Sequence, residues 1–259
     1  MTSPAATPAV NFAEIRQLAQ ALPCLKTVQV PSAPVDGPSA AALLWLAQAQ
    51  GKLPELRHTR LALFAATHGC FPESRAFTQE RVDSLTGPSD PAVKVLGAVD
   101  ADLRVYELDL ATPTRDYRTG PALDEGAAAH AMAYGMMAVE PGVQLLALGG
   151  LGAGGEMAHA ELLKRLPHSK DALQTLADTG GLECCAILGA LLAARVANVP
   201  VLIDGLAAEA ALAVLEALRH EGGVHARLAR DFAPDANAAL VGLPAALAIG
   251  HLKTLAALV

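Results

Sequence analysis

The chain has 259 residues, enough for one large α/β domain or two small ones. Hydrophobic residues make up 53% and aromatics only 3%, so the core must be built from Ala, Leu and Val, which argues against a base-stacking platform for nucleic acid. A net charge of −7, with 19 scattered Lys and Arg, argues against a phosphate-backbone binder but leaves room for a small anion held by backbone amides.

Met1 to Val10 is rich in Pro, Ala and Thr, with no positive charge and no apolar block. It reads as an unstructured start and not as a secretory signal, so a cytoplasmic protein is expected. Apolar residues at helical spacing predict a helix over Phe12–Leu22. Val30 to Pro38 holds three prolines and a glycine and predicts a loop. Residues 1–38 thus form an N-terminal helical segment, and residues 39–259 a single α/β domain. Ser39 is the expected N-cap of a helix over Ala40–Gln50.

The short apolar run Arg60–Ala66 predicts a buried strand that ends at Thr67-His68-Gly69. Leu103–Leu110 alternates as a second strand. Asp124 is the expected cap of a helix over Glu125–Val139, and Val143–Leu148 is a third strand. The run Gly149-Gly-Leu-Gly-Ala-Gly-Gly155 follows, then a helix from Glu156 to about Leu166. A further helix covers Glu183–Ala197, and Val199–Ile203 is a fourth strand. Asp204-Gly205 turns into a helix over Ala207–Arg219, and the apolar tail Ala238–Val259 reads as a buried helical segment. The most apolar stretch, Leu182 to Ile203, is broken by Glu183, Arg195, Asn198 and Pro200, so no membrane span is expected.

Strands alternating with helices predict a mainly parallel sheet covered on both faces, doubly wound and Rossmann-like. Ligands of such sheets sit beyond the carboxyl ends of the strands. Thr67–Gly69, Gly149–Gly155 and Asp204–Gly205 should therefore meet at one edge.

Five glycines in seven residues let backbone amides approach an anion at a helix N-terminus, although a tight turn alone also needs them. Gly150, Gly152 and Gly155 also fit the dinucleotide pattern GxGxxG. The expected acidic strand end some 20 residues on is missing, for Lys170 and Asp171 lie in a polar, strand-poor stretch. His68 is either a general acid/base or a histidine satisfied by backbone, and Asp204 either contacts a ribose hydroxyl or forms the turn. Glu183, after Gly180-Gly181-Leu182, is either a cleft carboxylate or a first-turn residue. The other histidines, His159 among them, show no metal-ligand spacing. The sequence contains neither a Ser-centred nucleophile elbow nor a P-loop. The four cysteines, Cys24, Cys70, Cys184 and Cys185, form no CxxC pair and are expected as buried, reduced thiols.

Three stretches together resemble the nicotinate-nucleotide:dimethylbenzimidazole phosphoribosyltransferases, which make the lower-ligand nucleotide of cobalamin. Leu63-Phe-Ala-Ala-Thr-His-Gly69 is similar to the family's FAGDHG. Met132-Ala-Tyr-Gly-Met-Met-Ala-Val and Leu145-Leu-Ala-Leu-Gly149 lead into the position of its LGEMGIGNTT loop. Gly180-Gly-Leu-Glu-Cys-Cys-Ala-Ile-Leu-Gly-Ala190 through Val199-Pro-Val-Leu-Ile-Asp-Gly205 resembles GGxEIAAMAGAILGAA…PVLIDG.

The resemblance implies a ligand site at His68, Gly149, Gly152, Gly154, Gly180, Gly181, Glu183, Asp204 and Gly205. It implies nicotinate mononucleotide or a related small anion and an aromatic base as ligands, with no cofactor and no metal. It implies a homodimer, or a mixed dimer with an active family member. It also implies transfer of phosphoribose to the base, with a glutamate of a GEGTG loop accepting the base's proton.

The departures fall on that chemistry. The glutamate of the LGEMGIGNTT loop becomes Gly150, its asparagine Gly155, and its threonines Glu156 and Met157. Thr67 replaces an aspartate and Glu80 a glutamine. The stretch Ala158–Thr179 holds no GPGTG phosphate loop, and the glutamate of GEGTG aligns with Val241. Glu183 and Glu209 are the carboxylates that could take its place. A transferase of this family, a non-catalytic nucleotide- or base-binding relative and a dehydrogenase-type nucleotide binder are the readings left open.

Overall fold

The computed structural model describes residues 10–30 and 35–259. Met1 to Ala9, and Pro31–Pro34 within the expected Val30–Pro38 loop, lie outside the described residues. Five parallel strands run β1 Thr59–Ala65, β2 Asp102–Glu107, β3 Leu145–Leu151, β4 Val201–Asp204 and β5 Ala226–Leu228, in the order β2-β1-β3-β4-β5. The chain adds β2 on one side of β1 and every later strand on the other. The strand order therefore reverses between β1 and β3, which is where such sheets open a ligand crevice.

The strand sequences dictate burial on both faces. Along β1, Ala62 and Phe64 enter one core while Leu61, Leu63 and Ala65 enter the other. The first core is closed by α1 (Phe12–Gln20), α5 (Glu125–Met136), α6 (Gly155–Arg165), α7 (Ala172–Thr179), α8 (Leu182–Val196) and α9 (Leu206–Leu218). The second is closed by α2 (Gly37–Gln50), α3 (Ser74–Leu85), α4 (Pro91–Ala98) and α10 (Leu243–Ala256). Phe12 and Ile15 of α1 are buried in the first core, so the N-terminal helix docks on the α/β layer.

Small residues set the helix spacing. A Cβ on Gly135 would lie 1.8 Å from the Ala186 carbonyl oxygen, and one on Gly189 would lie 1.8 Å from that of Met132. The α5–α8 crossing is therefore as close as bare backbone permits. Among the described residues, no helix is long and apolar enough to cross a membrane.

Several boundaries differ from expectation. Asp36, not Ser39, is the N-cap of α2, because Pro38 pre-sets the dihedral of a first turn and starts the helix earlier. Asp124 caps α5 as expected, its side chain accepting from Ala127 N–H. β3 runs on through Gly149 and Gly150 to Leu151, where Ala66 N–H still bonds the Leu151 carbonyl. Side chains are not needed to stay in the ladder, and past Gly149 it is the pairing with β1 alone that carries β3 on. Among the described residues, three helices and one strand were not anticipated in the sequence: α3, α4, α7 and β5. Cys70, Cys184 and Cys185 are buried, but Cys24 is exposed, since it follows α1 on the surface.

Candidate active site

A cavity of about 500 Å³ opens at the carboxyl ends of β1, β3 and β4. Gly150, Gly152, Ala153, Leu206 and Val241 are among its walls, with Phe77 and Arg81 from α3. α3 is the brace of this edge. His68 N–H donates to Ser74 Oγ at 2.9 Å, Ser74 Oγ donates to the Ala153 carbonyl at 2.6 Å, and Ala153 N–H donates to Thr78 Oγ1 at 3.0 Å. One polar helix face thus ties the loop after β1 to the glycine loop after β3.

The glycine loop proper is Gly152-Ala153-Gly154. Gly154 takes a φ of +90°, and a Cβ there would lie 2.5 Å from that of Phe71. α6 and α9 both begin at glycine N-caps, Gly154 and Gly205, without any side-chain cap. Gly155 N–H already bonds the Gly152 carbonyl, but Glu156 in the first turn of α6 and Leu206 and Ala207 at the start of α9 border the cavity, a setting suited to an anion. Glu156 also lines the wall, and its carboxylate repels an anion.

The inner wall, where His159 and Glu183 line the cavity, is polar and almost dry, and His68 lies behind it against Glu183. His68 follows β1, His159 lies one turn into α6, and Glu183 sits in the first turn of α8. They are 1%, 3% and 0% exposed. Glu183 Oε1 hydrogen-bonds His68 Nε2 at 2.7 Å and lies 3.1 Å from His159 Nε2, but neither His159 Nε2 nor Glu183 Oε2 has a hydrogen-bond partner. Burial works to raise the pKa of Glu183, but the His68 charge and hydrogen bond, with the His159 imidazole beside them, outweigh it and hold the carboxyl well below its usual range. Burial works to lower that of His68, and Glu183 overrides it upward. Both shifts favour the same pairing, a charged His68 against an ionised Glu183.

Of the residues singled out in the sequence, His68 and Glu183 meet here. Gly152 stands against them, for a Cβ on it would lie 2.9 Å from His68 Nε2. Gly181 lets the Glu183 carboxylate fold back, since a Cβ on it would lie 2.3 Å from Oε2. Gly180 instead closes α7, its N–H bonding the Leu176 carbonyl. Gly149 is a strand residue packed between Leu63 and Val241.

Asp204 faces inward. Its Oδ2 accepts from Gly242 N–H at 2.7 Å and Ala245 N–H at 3.4 Å, so the side chain caps α10. Burial pushes its pKa up to about 6 against those two bonds. Val241 lines the cavity beside Gly149 and Gly205, and Glu209 is ion-paired with Arg230 away from the cavity wall.

Sequence spacing does not single out His159, because His68 and Glu183 are distant from it in the chain. Its position four residues after Gly155, on the same face one turn along α6, is the signal available.

Fold and site together define a doubly wound α/β protein with a cavity at the switch point of its sheet. The sequence matches the phosphoribosyltransferase family over residues 40–169 and 159–241, and the chain belongs to the nicotinate-nucleotide:dimethylbenzimidazole phosphoribosyltransferase family. The enzyme of that name from Allorhizobium ampelinum is 32% identical over 214 residues, covering 67% of this chain and 63% of the relative. The one from Brucella anthropi is 33% identical over 224 residues, covering 70% and 66%. The chain thus spans somewhat under two thirds of the length of such relatives. A crystal structure of nicotinate-nucleotide-dimethylbenzimidazole phosphoribosyltransferase from Thermus thermophilus superposes with a TM-score of 0.73. It covers 95% of this chain and 94% of the other at 20% identity, a likeness of fold.

Proposed function

We propose that this chain is a cytoplasmic protein that binds nicotinate mononucleotide, or a similar small ribose phosphate, together with an aromatic base, without the ordinary phosphoribosyl transfer of its relatives. Val241 carries the reading: a side chain unable to accept a proton faces the cavity where the resemblance implies a glutamate. Loss of a general base costs on the order of 10²–10⁴ in rate. The two uncapped helix N-termini support retention of the anion. A homodimer, or a mixed dimer with an active family member, fits this role.

A second reading, transfer with a replacement base, draws support from Glu183 and His159 on the cavity wall. Glu183 is disfavoured, because a carboxylate held well below its usual pKa is a weak base.

Calorimetric titration with nicotinate mononucleotide, paired with a chromatographic assay for nicotinate released in the presence of dimethylbenzimidazole, separates these readings. Saturable binding with turnover at least about 100-fold below an active relative is expected. Ordinary turnover would refute the proposal, as would absence of binding. Ala153→Leu, which fills the cavity, should weaken the binding. Val241→Glu should not restore full turnover, because Ala158–Thr179 still holds no glycine-rich phosphate loop.

A further inference from the structure

We infer that His68, His159 and Glu183 form a binding site for one divalent transition-metal ion of the zinc class, open toward the cavity. The three side chains come from three separate elements, yet one ligating atom of each lies within 4.8 Å of the others. Two imidazole nitrogens with one carboxylate oxygen suit Zn²⁺ and its first-row neighbours; Mg²⁺ and Ca²⁺ prefer all-oxygen sets.

The cluster is left incomplete by its own hydrogen bonds. Glu183 Oε1 bonds His68 only, while His159 Nε2 and Glu183 Oε2, on residues almost wholly out of water, have no hydrogen-bond partner. A buried carboxylate with an unmatched oxygen is costly, and a divalent ion would offset that cost directly.

The neighbouring backbone leaves the convergence point clear. A Cβ on Gly155 would sit 2.9 Å from His68 Nε2, 3.0 Å from His159 Cε1 and 3.2 Å from Glu183 Oε1. Any side chain at that position would crowd all three groups. The resemblance implies an asparagine there, so the departure to glycine is what lets the three converge.

Three protein ligands leave a zinc-type ion one position short of tetrahedral, the pattern of sites that bind an exchangeable water or substrate oxygen. His159 and Glu183 line the cavity beside Gly150 and Gly152, so that position faces the space where an anion would lie. An ion there would supply positive charge to a site with no phosphate loop and with Glu156 in its wall.

The inference does not rest on the nucleotide reading, because metal binding is measured with no nucleotide present. Chelator-stripped protein is titrated with Co²⁺ and, in competition with a chromophoric chelator, with Zn²⁺. One equivalent of Zn²⁺ and the visible absorption of a four- or five-coordinate Co²⁺ are expected. His159→Gln and Glu183→Gln should each lower Zn²⁺ affinity by about 100-fold or more, a ligand mattering at least as much as the groups that orient it. His159→Gln keeps the test valid should the Glu183 variant fail to fold. A Co²⁺ spectrum like that of the aqueous ion would overturn the inference, as would equal Zn²⁺ affinity in the parent and folded His159→Gln.

Discussion

The two edges of the sheet carry cavities of nearly equal size, about 460 Å³ at the amino edge and about 500 Å³ at the carboxyl edge. Their chemistry differs. At the amino edge Arg60 bonds Asp102 at 2.9 Å and Glu140 at 3.0 Å, and both carboxylates stay in water, with side chains 42% and 52% exposed. Every charge there has an ion-pair partner or solvent, and the buried groups left without a hydrogen bond, Arg60 Nη1 and Thr59 Oγ1, include no carboxylate oxygen. At the carboxyl edge three ionisable side chains are packed together out of water, and one carboxylate oxygen is left unmatched. Volume does not tell a site from a groove; a buried, unmatched carboxylate at the switch point does.

The largest effect expected from that contrast is at His68. Replacing it by Leu leaves the buried Glu183 carboxylate with His159 alone, and removing one partner of a buried pair costs about 3 kcal/mol. Urea unfolding at pH 7 measures it. A loss no larger than that of an exposed ion pair would mean that the carboxyl edge is as well solvated as the amino edge.

The sequence showed the carboxyl edge in outline. β1, β3 and β4 were legible because each is a short apolar run buried on both faces. β5 is three residues long, too short for any period to register. α3 was hidden because the residues it buries include Ser74 and Thr78, chosen for hydrogen bonds to two loops rather than for a core. α4 had a readable start, since Asp90 accepts from Ala92 and Val93 N–H and Pro91 follows. It passed unread because so short a helix has little periodic signal. The meeting of His68 with Glu183 was visible as topology, two strand-edge loops at one edge. Their encounter with His159 depends on the turn of α6 and on three bare glycines.

A smaller effect is expected at Asp204, buried on the same edge but matched by two backbone N–H groups. Its folded pKa of about 6 lies above its unfolded value, so the folded state holds this proton more tightly. The stability it contributes is fully present below about pH 4 and is lost as pH rises through about 6. Asp204→Asn keeps an acceptor for α10 and has no charge to bury. The variant should therefore gain about 2 kcal/mol relative to the parent between pH 4 and pH 7.5, at 1.36 kcal/mol per pKa unit less an allowance for the helix N-terminus. Unfolding curves for both proteins at the two pH values isolate this group from the other carboxylates. A difference that does not change with pH would place the charge in water.

The smallest effect belongs to the amino edge, and it tests the contrast from the other side. Arg60→Met keeps most of the buried stem of a side chain only 8% exposed and removes its charge. Asp102 and Glu140 lose a partner but keep their water, so no carboxylate is stranded. Their mutual repulsion rises only modestly. A loss of about 1 kcal/mol is expected, shrinking in high salt because half-exposed carboxylates are screened. The His68→Leu loss should change little with salt, because its charges lie out of reach of the ions. Equal salt dependence in the two variants would erase the distinction between a solvated charge network and a dry one, and with it the reason for placing the site at the carboxyl edge on electrostatic grounds.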